Sequence, residues 1–145
     1  MPKAIGIAAD HAGYELKEHL KPLLAELGYE PVDFGTHSLA SMDYPDVIHP
    51  LCKELLAGKF ALGIIICGSG NGVNITANKY PGVRSALCWL PEIAALARQH
   101  NDANILALPA RFMSKDQAEA SVRNFLTTPF EGGRHQNRVD KIPMC

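Results

Sequence analysis

Between residues 3 and 108 the chain alternates short apolar runs with longer stretches of helical period, and no Ser-rich, Pro-rich or repetitive segment interrupts the alternation. A strand buried on both faces reads as a continuous apolar run, whereas a helix lying on a sheet shows a single apolar stripe. The alternation therefore predicts βαβ units: an α/β fold whose parallel sheet is covered by helices on both faces. Five strands are expected, at Lys3–Ala9, Glu30–Phe34, Leu62–Cys67, Val83–Cys88 and Asn104–Leu108. The run Leu62-Gly-Ile-Ile-Ile-Cys67 is the most apolar of them and belongs at the centre of the sheet.

The intervening helices differ in clarity. Leu16, Leu20, Leu23, Leu24 and Leu27 trace one apolar face that Gly28 closes. Pro45 to Ala57 carries Val47, Ile48, Leu51, Leu55 and Leu56, and Pro91 to Arg98 opens with a proline suited to a first helical turn. Ser114-Lys-Asp-Gln117 is a capping box ahead of Ala118, Val122, Phe125 and Leu126. After Pro129 the sequence turns polar and basic, and Arg134 and Arg138, four residues apart, would share a helical face.

With 145 residues, 47% of them hydrophobic, the chain has the size of one domain with a full core, spanning 1–145. A formal charge of −1 gives no overall basic field for nucleic acid or an anionic membrane. No apolar run reaches the roughly 18 residues that cross a bilayer. The opening Met1-Pro-Lys-Ala-Ile-Gly-Ile runs straight into a strand pattern without a signal-peptide core, so a soluble, cytoplasmic protein is expected. Cys52, Cys67, Cys88 and Cys145 form no C-x-x-C pair and no zinc-finger spacing, and reduced thiols are expected.

In open parallel sheets ligands bind beyond the carboxyl ends of the strands. Three segments there carry chemistry: Asp10-His11-Ala-Gly13 after the first strand, Cys67-Gly-Ser-Gly-Asn-Gly72 after the third, and Pro109-Ala-Arg111 after the fifth. The glycine loop can bring backbone N–H groups close to an anion. It matches neither the dinucleotide G-x-G-x-x-G nor a P-loop, and its glycines could serve only a tight turn. Cys67 alone would read as a small buried hydrophobe. Beside this loop it is also a candidate base, with the Gly68 to Gly72 amides stabilising a developing oxyanion. Val73 stands where a Cys-x5-Arg phosphatase loop requires arginine. Asp10-His11 and His100-Asn101 each read either as ordinary helix-end residues or as site residues. His19, on the exposed face of the first helix, and His37 and His49 are assigned to structure, and the histidines form no recognisable metal motif. Arg134, His135 and Arg138 form the densest cationic cluster, with guanidinium pairs suited to a phosphate dianion.

Asp10-His11-Ala-Gly, Asp43-Tyr44-Pro45, Cys67-Gly-Ser-Gly-Asn-Gly, Ala77-Asn78-Lys79, Arg98-Gln-His-Asn101 and Glu131-Gly-Gly-Arg-His-Gln-Asn-Arg138 occur in this order over nearly the whole chain. Together they resemble the type B ribose-5-phosphate isomerases, of the sugar-phosphate isomerase family that includes galactose-6-phosphate and allose-6-phosphate isomerases. The resemblance implies a three-layer, Rossmann-like α/β/α sandwich on a five-stranded parallel sheet. It also implies a homodimer that can pair into a tetramer, and no metal or other cofactor. By motif, Cys67 would move a proton between C1 and C2, and His100 would open the furanose ring. Asp10 and Tyr44 would face sugar hydroxyls, and Ser69 with the amides of Gly68, Ser69, Gly70, Asn71 and Gly72 would hold the enediolate. Asn101 would bind nearby, while His11, Arg111, Arg134 and Arg138 would take the phosphate. Some relatives carry a glutamate base in the loop; Cys67 and Val73 place this chain with the cysteine subtype, and Ser69 keeps the hydroxyl that threonine supplies elsewhere.

The implied reaction is an exchange between ribose 5-phosphate and ribulose 5-phosphate. A hexose 6-phosphate, allose or galactose, is the alternative substrate, because specificity depends on pocket depth rather than on the shared motifs. A non-catalytic sugar-phosphate sensor and a thiol-dependent hydrolase each fit part of the pattern, but neither uses the histidine and the arginines together. Chain direction adds one expectation. The helix after the fourth strand runs back along the sheet, so His100-Asn101 should lie at the opposite edge from Cys67, and a shared site between two protomers follows.

Overall fold

The computed structural model describes residues 1–144. Strands β1 (Lys3–Ala9), β2 (Tyr29–Asp33), β3 (Gly63–Cys67), β4 (Ser85–Leu87) and β5 (Ile105–Pro109) alternate with helices α1 (Tyr14–Glu26), α2 (Pro45–Leu56), α3 (Asn71–Ala77) and α4 (Pro91–Asn101). A 3-10 turn (Ala110–Phe112), α5 (Lys115–Thr127) and α6 (Arg134–Asp140) complete the chain. The sheet is parallel throughout, in the order β2-β1-β3-β5-β4, so the most apolar run does occupy the centre. All five residues of β3 are buried.

Side chains of a strand alternate between faces, and here the alternation sorts two apolar layers. Ile64, Ile66, Leu106 and Leu108 point to the layer built from α1, α4 and α5, where Leu20, Leu24, Ala94, Val122 and Phe125 meet them. Ile65, Ala107 and Ala8 point to the layer built from α2 and α3, against Ile48, Leu51, Val73 and Ala77. Each buried leucine or isoleucine contributes about 1.5–3 kcal/mol relative to exposure. The expected apolar face of α1 is buried at Leu16, Leu20, Leu23 and Leu24, and Gly28 follows the helix with φ of +87°, a conformation that a Cβ would disfavour. The capping box forms, with Ser114 Oγ accepting from Gln117 N–H and Gln117 Oε1 accepting from Ser114 N–H.

Two local features differ from the expectation. Strand β4 starts two residues late because the Arg84 N–H donates to Asn104 Oδ1 (2.8 Å) rather than into the ladder. Lys17, a charged residue on a surface helix, is fully buried. Its ammonium donates to Asp33 Oδ2 and Glu18 Oε2, each at 2.7 Å, and so ties α1 to the end of β2. Burial would raise the Asp33 carboxyl, but hydrogen bonds from Lys17, Lys21 and the Gly35 N–H outweigh it and hold the group below the usual carboxylate value.

The chain leaving β1 enters α1 on one face of the sheet, and the chain leaving the adjacent β3 enters α3 on the other. Diverging connections leave a crevice beyond the carboxyl ends of these two strands. No helix among the described residues is long and apolar enough to cross a membrane.

Candidate active site

The crevice encloses about 490 Å³ and is lined by Asp10, His11, Ala12, Tyr44, Cys67, Gly68, Ser69, Gly72, Arg111 and Phe112. Cys67, the last residue of β3, pairs in register with Pro109 and is 5% exposed. Cys67 is thus held by a fully buried strand while still lining the cleft. Desolvation pushes the Cys52 thiol up to about 11 and the Cys88 thiol up to about 12, and both of these side chains are fully buried away from the cleft.

Gly70 has φ of +76°, and a Cβ there would overlap Leu87; a Cβ at Gly72 would overlap the Tyr44 ring. The loop is therefore glycine-rich for close approach as well as for turning. The N–H groups of Gly68, Ser69, Gly70 and Gly72 make no hydrogen bond among the described residues. Asn71 departs from the expectation. Its N–H donates to Ser69 Oγ (3.2 Å), because a serine two residues earlier in a turn offers the nearest acceptor. The amides left without a partner are thus 68, 69, 70 and 72, of which Gly68, Ser69 and Gly72 line the crevice while Gly70 does not, and the Ser69 hydroxyl proton is left to donate.

Asp10 Oδ1 accepts from the N–H groups of Ala12 (3.0 Å) and Gly13 (3.1 Å), which fixes the carboxylate and leaves its second oxygen for the cleft. A Cβ at Gly13 would overlap the Ile66 carbonyl, so this glycine permits the β1 loop to lie against β3. His11 Nδ1 accepts from the Met42 N–H at 3.3 Å, which puts the ring proton of the neutral tautomer on Nε2, where it can donate. Arg111 is anchored through its N–H to the Gly68 carbonyl (3.0 Å), and its side chain lies along Gly68. Phe112, 74% exposed at the rim, carries no sequence signal because a lone aromatic after a strand has none.

The other sequence-predicted residues lie elsewhere. His100 and Asn101 end α4, and the Asn101 carbonyl accepts from Arg84 Nε (3.1 Å), just ahead of β4. That is the amino edge of the sheet. The five residues Ile105–Pro109 of β5 separate this edge from the level of Cys67, about 16 Å at roughly 3.3 Å per residue. Beside His100 stand two residues not singled out as site members. His135 stacks on it with centroids 4.3 Å apart and planes at 14°, and Glu131 Oε1 lies 3.4 Å from His135 Nε2 and 4.0 Å from His100 Nε2. Arg134 and Arg138 are exposed on α6, one turn apart, with no ion-pair partner among the described residues. His19 is half-buried rather than exposed and pairs with Glu119 of α5 at 2.9 Å, while His49 bonds Tyr80.

A family model described as Ribose/Galactose Isomerase matches residues 5–142. Ribose-5-phosphate isomerase B of Escherichia coli is 41% identical over 140 residues, covering 97% of this chain and 94% of that protein. Among solved structures, Clostridium thermocellum ribose-5-phosphate isomerase B superposes with a TM-score of 0.93 at 47% identity, covering 96% of this chain and 94% of that one. The enzyme from Mycoplasma genitalium, solved with bound ribulose-5-phosphate, gives a TM-score of 0.92 at 42% identity, with 98% and 95% covered.

Proposed function

The chain belongs to the ribose/galactose isomerase family, and we propose that it interconverts ribose 5-phosphate and ribulose 5-phosphate through an enediolate. The observation that carries this reading is that Cys67 lines one cleft with Gly68, Ser69 and Gly72, whose backbone amides have no partner among the described residues. Aldose-ketose exchange needs a base at C2, a site for the oxygen charge that develops at C1, and a phosphate handle. Cys67, as thiolate, takes the C2 proton and returns it to C1, while the O2 proton passes to O1 so that the C2 carbonyl forms. The amides of Gly68, Ser69 and Gly72 and the Ser69 hydroxyl stabilise the oxyanion. Asp10 and Tyr44 orient the sugar hydroxyls, and His11 Nε2–H and Arg111 bind the phosphate. The chemistry moves protons only.

Ring opening falls to His100, and a second copy of the chain supplies it together with Asn101, Arg134 and Arg138. The length of β5 supports this division, since one protomer holds Cys67 and His100 at opposite sheet edges. The proposed unit is therefore a homodimer with two shared sites.

A coupled assay comparing ribose 5-phosphate with allose 6-phosphate and galactose 6-phosphate should favour the pentose. Cys67→Ala should lower turnover by about 10²- to 10⁴-fold, the contribution of a positioned proton-transfer group, with substrate binding nearly unchanged. Binding without turnover in the native protein would point to a sensor instead. Retained turnover in the variant would remove Cys67 as the base.

A further inference from the structure

We infer that His100, Glu131 and His135 form a binding site for a divalent transition-metal ion, and that an ion held there withdraws His100 from catalysis. One ligand atom from each residue lies within 4.8 Å of the other two. The donors come from three places: the last turn of α4, the first turn of α6 and the segment between α5 and α6. The Glu131 N–H donates to the Gln99 carbonyl (3.1 Å), one residue before His100, so the carboxylate is tethered to the helix that carries the first imidazole.

The donor set selects the ion class. Two imidazoles and a carboxylate suit Zn²⁺, Ni²⁺ or Co²⁺, whereas Mg²⁺ and Ca²⁺ prefer oxygen shells. With metal–ligand bonds of about 2.0–2.2 Å, neighbouring donors in a tetrahedral shell sit roughly 3.4 Å apart. His135 Nε2 and Glu131 Oε1 are already at 3.4 Å, and His100 Nε2 needs to close from 4.0 Å. The rings stack with planes only 14° apart, so their in-plane lone pairs run side by side rather than meeting, and closure requires the His100 ring, whose side chain is 41% exposed, to unstack and turn its Nε2 toward Glu131 and His135. His135, at 12% exposure, is the fixed member, and the open side of Glu131 leaves room for water to complete the shell.

A neutral imidazole has one lone pair. Once the His100 Nε2 lone pair is given to a metal it cannot accept or return a sugar hydroxyl proton at that atom. The site is thus distinct in purpose from the reaction proposed above, which calls for no metal. The binding half of the inference stands on the three side chains; the inhibitory half rests on the role proposed for His100.

The test uses metal-free full-length protein and Ni²⁺, which competes less for the Cys67 thiolate than softer ions do. Calorimetric titration should show saturable Ni²⁺ binding that weakens by at least about tenfold in both His135→Ala and Glu131→Gln, since even supporting residues at metal sites command that range. Circular dichroism verifies that each variant is folded, and two variants from different segments guard against loss of either. Ni²⁺ should progressively lower isomerase activity, and EDTA should restore it. The ratio of activity with and without Ni²⁺ should stay near one in both variants at concentrations that silence the native protein. Absence of saturable binding, or binding unchanged in both variants, overturns the site. Ligand-dependent binding without inhibition overturns the withdrawal of His100. A protein that binds Ni²⁺ in this pattern but isomerises no sugar phosphate fails the functional reading alone.

Discussion

Arg134 and Arg138 project from one exposed face of a seven-residue helix that buries only Val139. Side chains so placed contribute little to the core, which makes them clean probes of substrate binding. Arg134→Ala and Arg138→Ala should each raise KM by the loss of a charge-assisted hydrogen bond, about 1.5–3 kcal/mol, with kcat little changed. Turnover of a non-phosphorylated sugar, measured in parallel, should hardly respond; equal damage to both substrates would mean that the arginines hold structure instead. At this scale the sequence shows residue types and their order in the chain, and so Asp10, Cys67 and the glycine loop are legible. It does not show which hydrogen bond each group has already made. The turning of the Asn71 amide onto Ser69 and the His11 tautomer depend on backbone torsions and on Met42, which no local pattern reports. The grouping of Glu131 and His135 with His100 arises only when α4 and α6 meet.

Elements were more legible than residues because periodicity reports burial directly. Lys3–Ala9 is a strand over its predicted span, and α1 buries the leucines that mark it. Lys17 shows where the rule stops, since burial of an ammonium depends on an acid supplied by another element, here Asp33 of β2. Replacing Asp33 with Asn leaves this buried ammonium with only Glu18 and should destabilise the protein by about 3 kcal/mol at neutral pH, the lower end for breaking a buried pair. The sign of the pH dependence follows from the lowered carboxyl. Its contribution is complete above the unfolded-state value of about 4 and disappears as pH falls through the lower folded-state value. Urea denaturation of both proteins should give a constant gap from about pH 5 upward that narrows in stronger acid. A gap that widened on acidification would contradict the assignment.

For the whole molecule, the separation of Cys67 and His100 by the length of β5 makes subunit complementation the decisive experiment. Inactive Cys67→Ala and His100→Ala proteins, mixed under conditions that exchange subunits, should recover activity, because a mixed dimer holds one site with both native residues. Random exchange from equal stocks gives about half mixed dimers and roughly a quarter of native activity. Persistent inactivity after verified exchange would place the whole site in one chain. The crevice itself has another consequence. It exists because the connections after β1 and β3 depart to opposite faces, so no side chain of either apolar layer had to be trimmed or made polar to create it. Of the residues lining it, only Cys67 is a buried member of an apolar layer, and Tyr44 packs against that layer from its edge. Stabilising changes in a protein often erode its activity where both draw on the same residues. Here the two are divided by connectivity, and the lineage is free to repack its interior and to retune its loops as nearly independent evolutionary experiments.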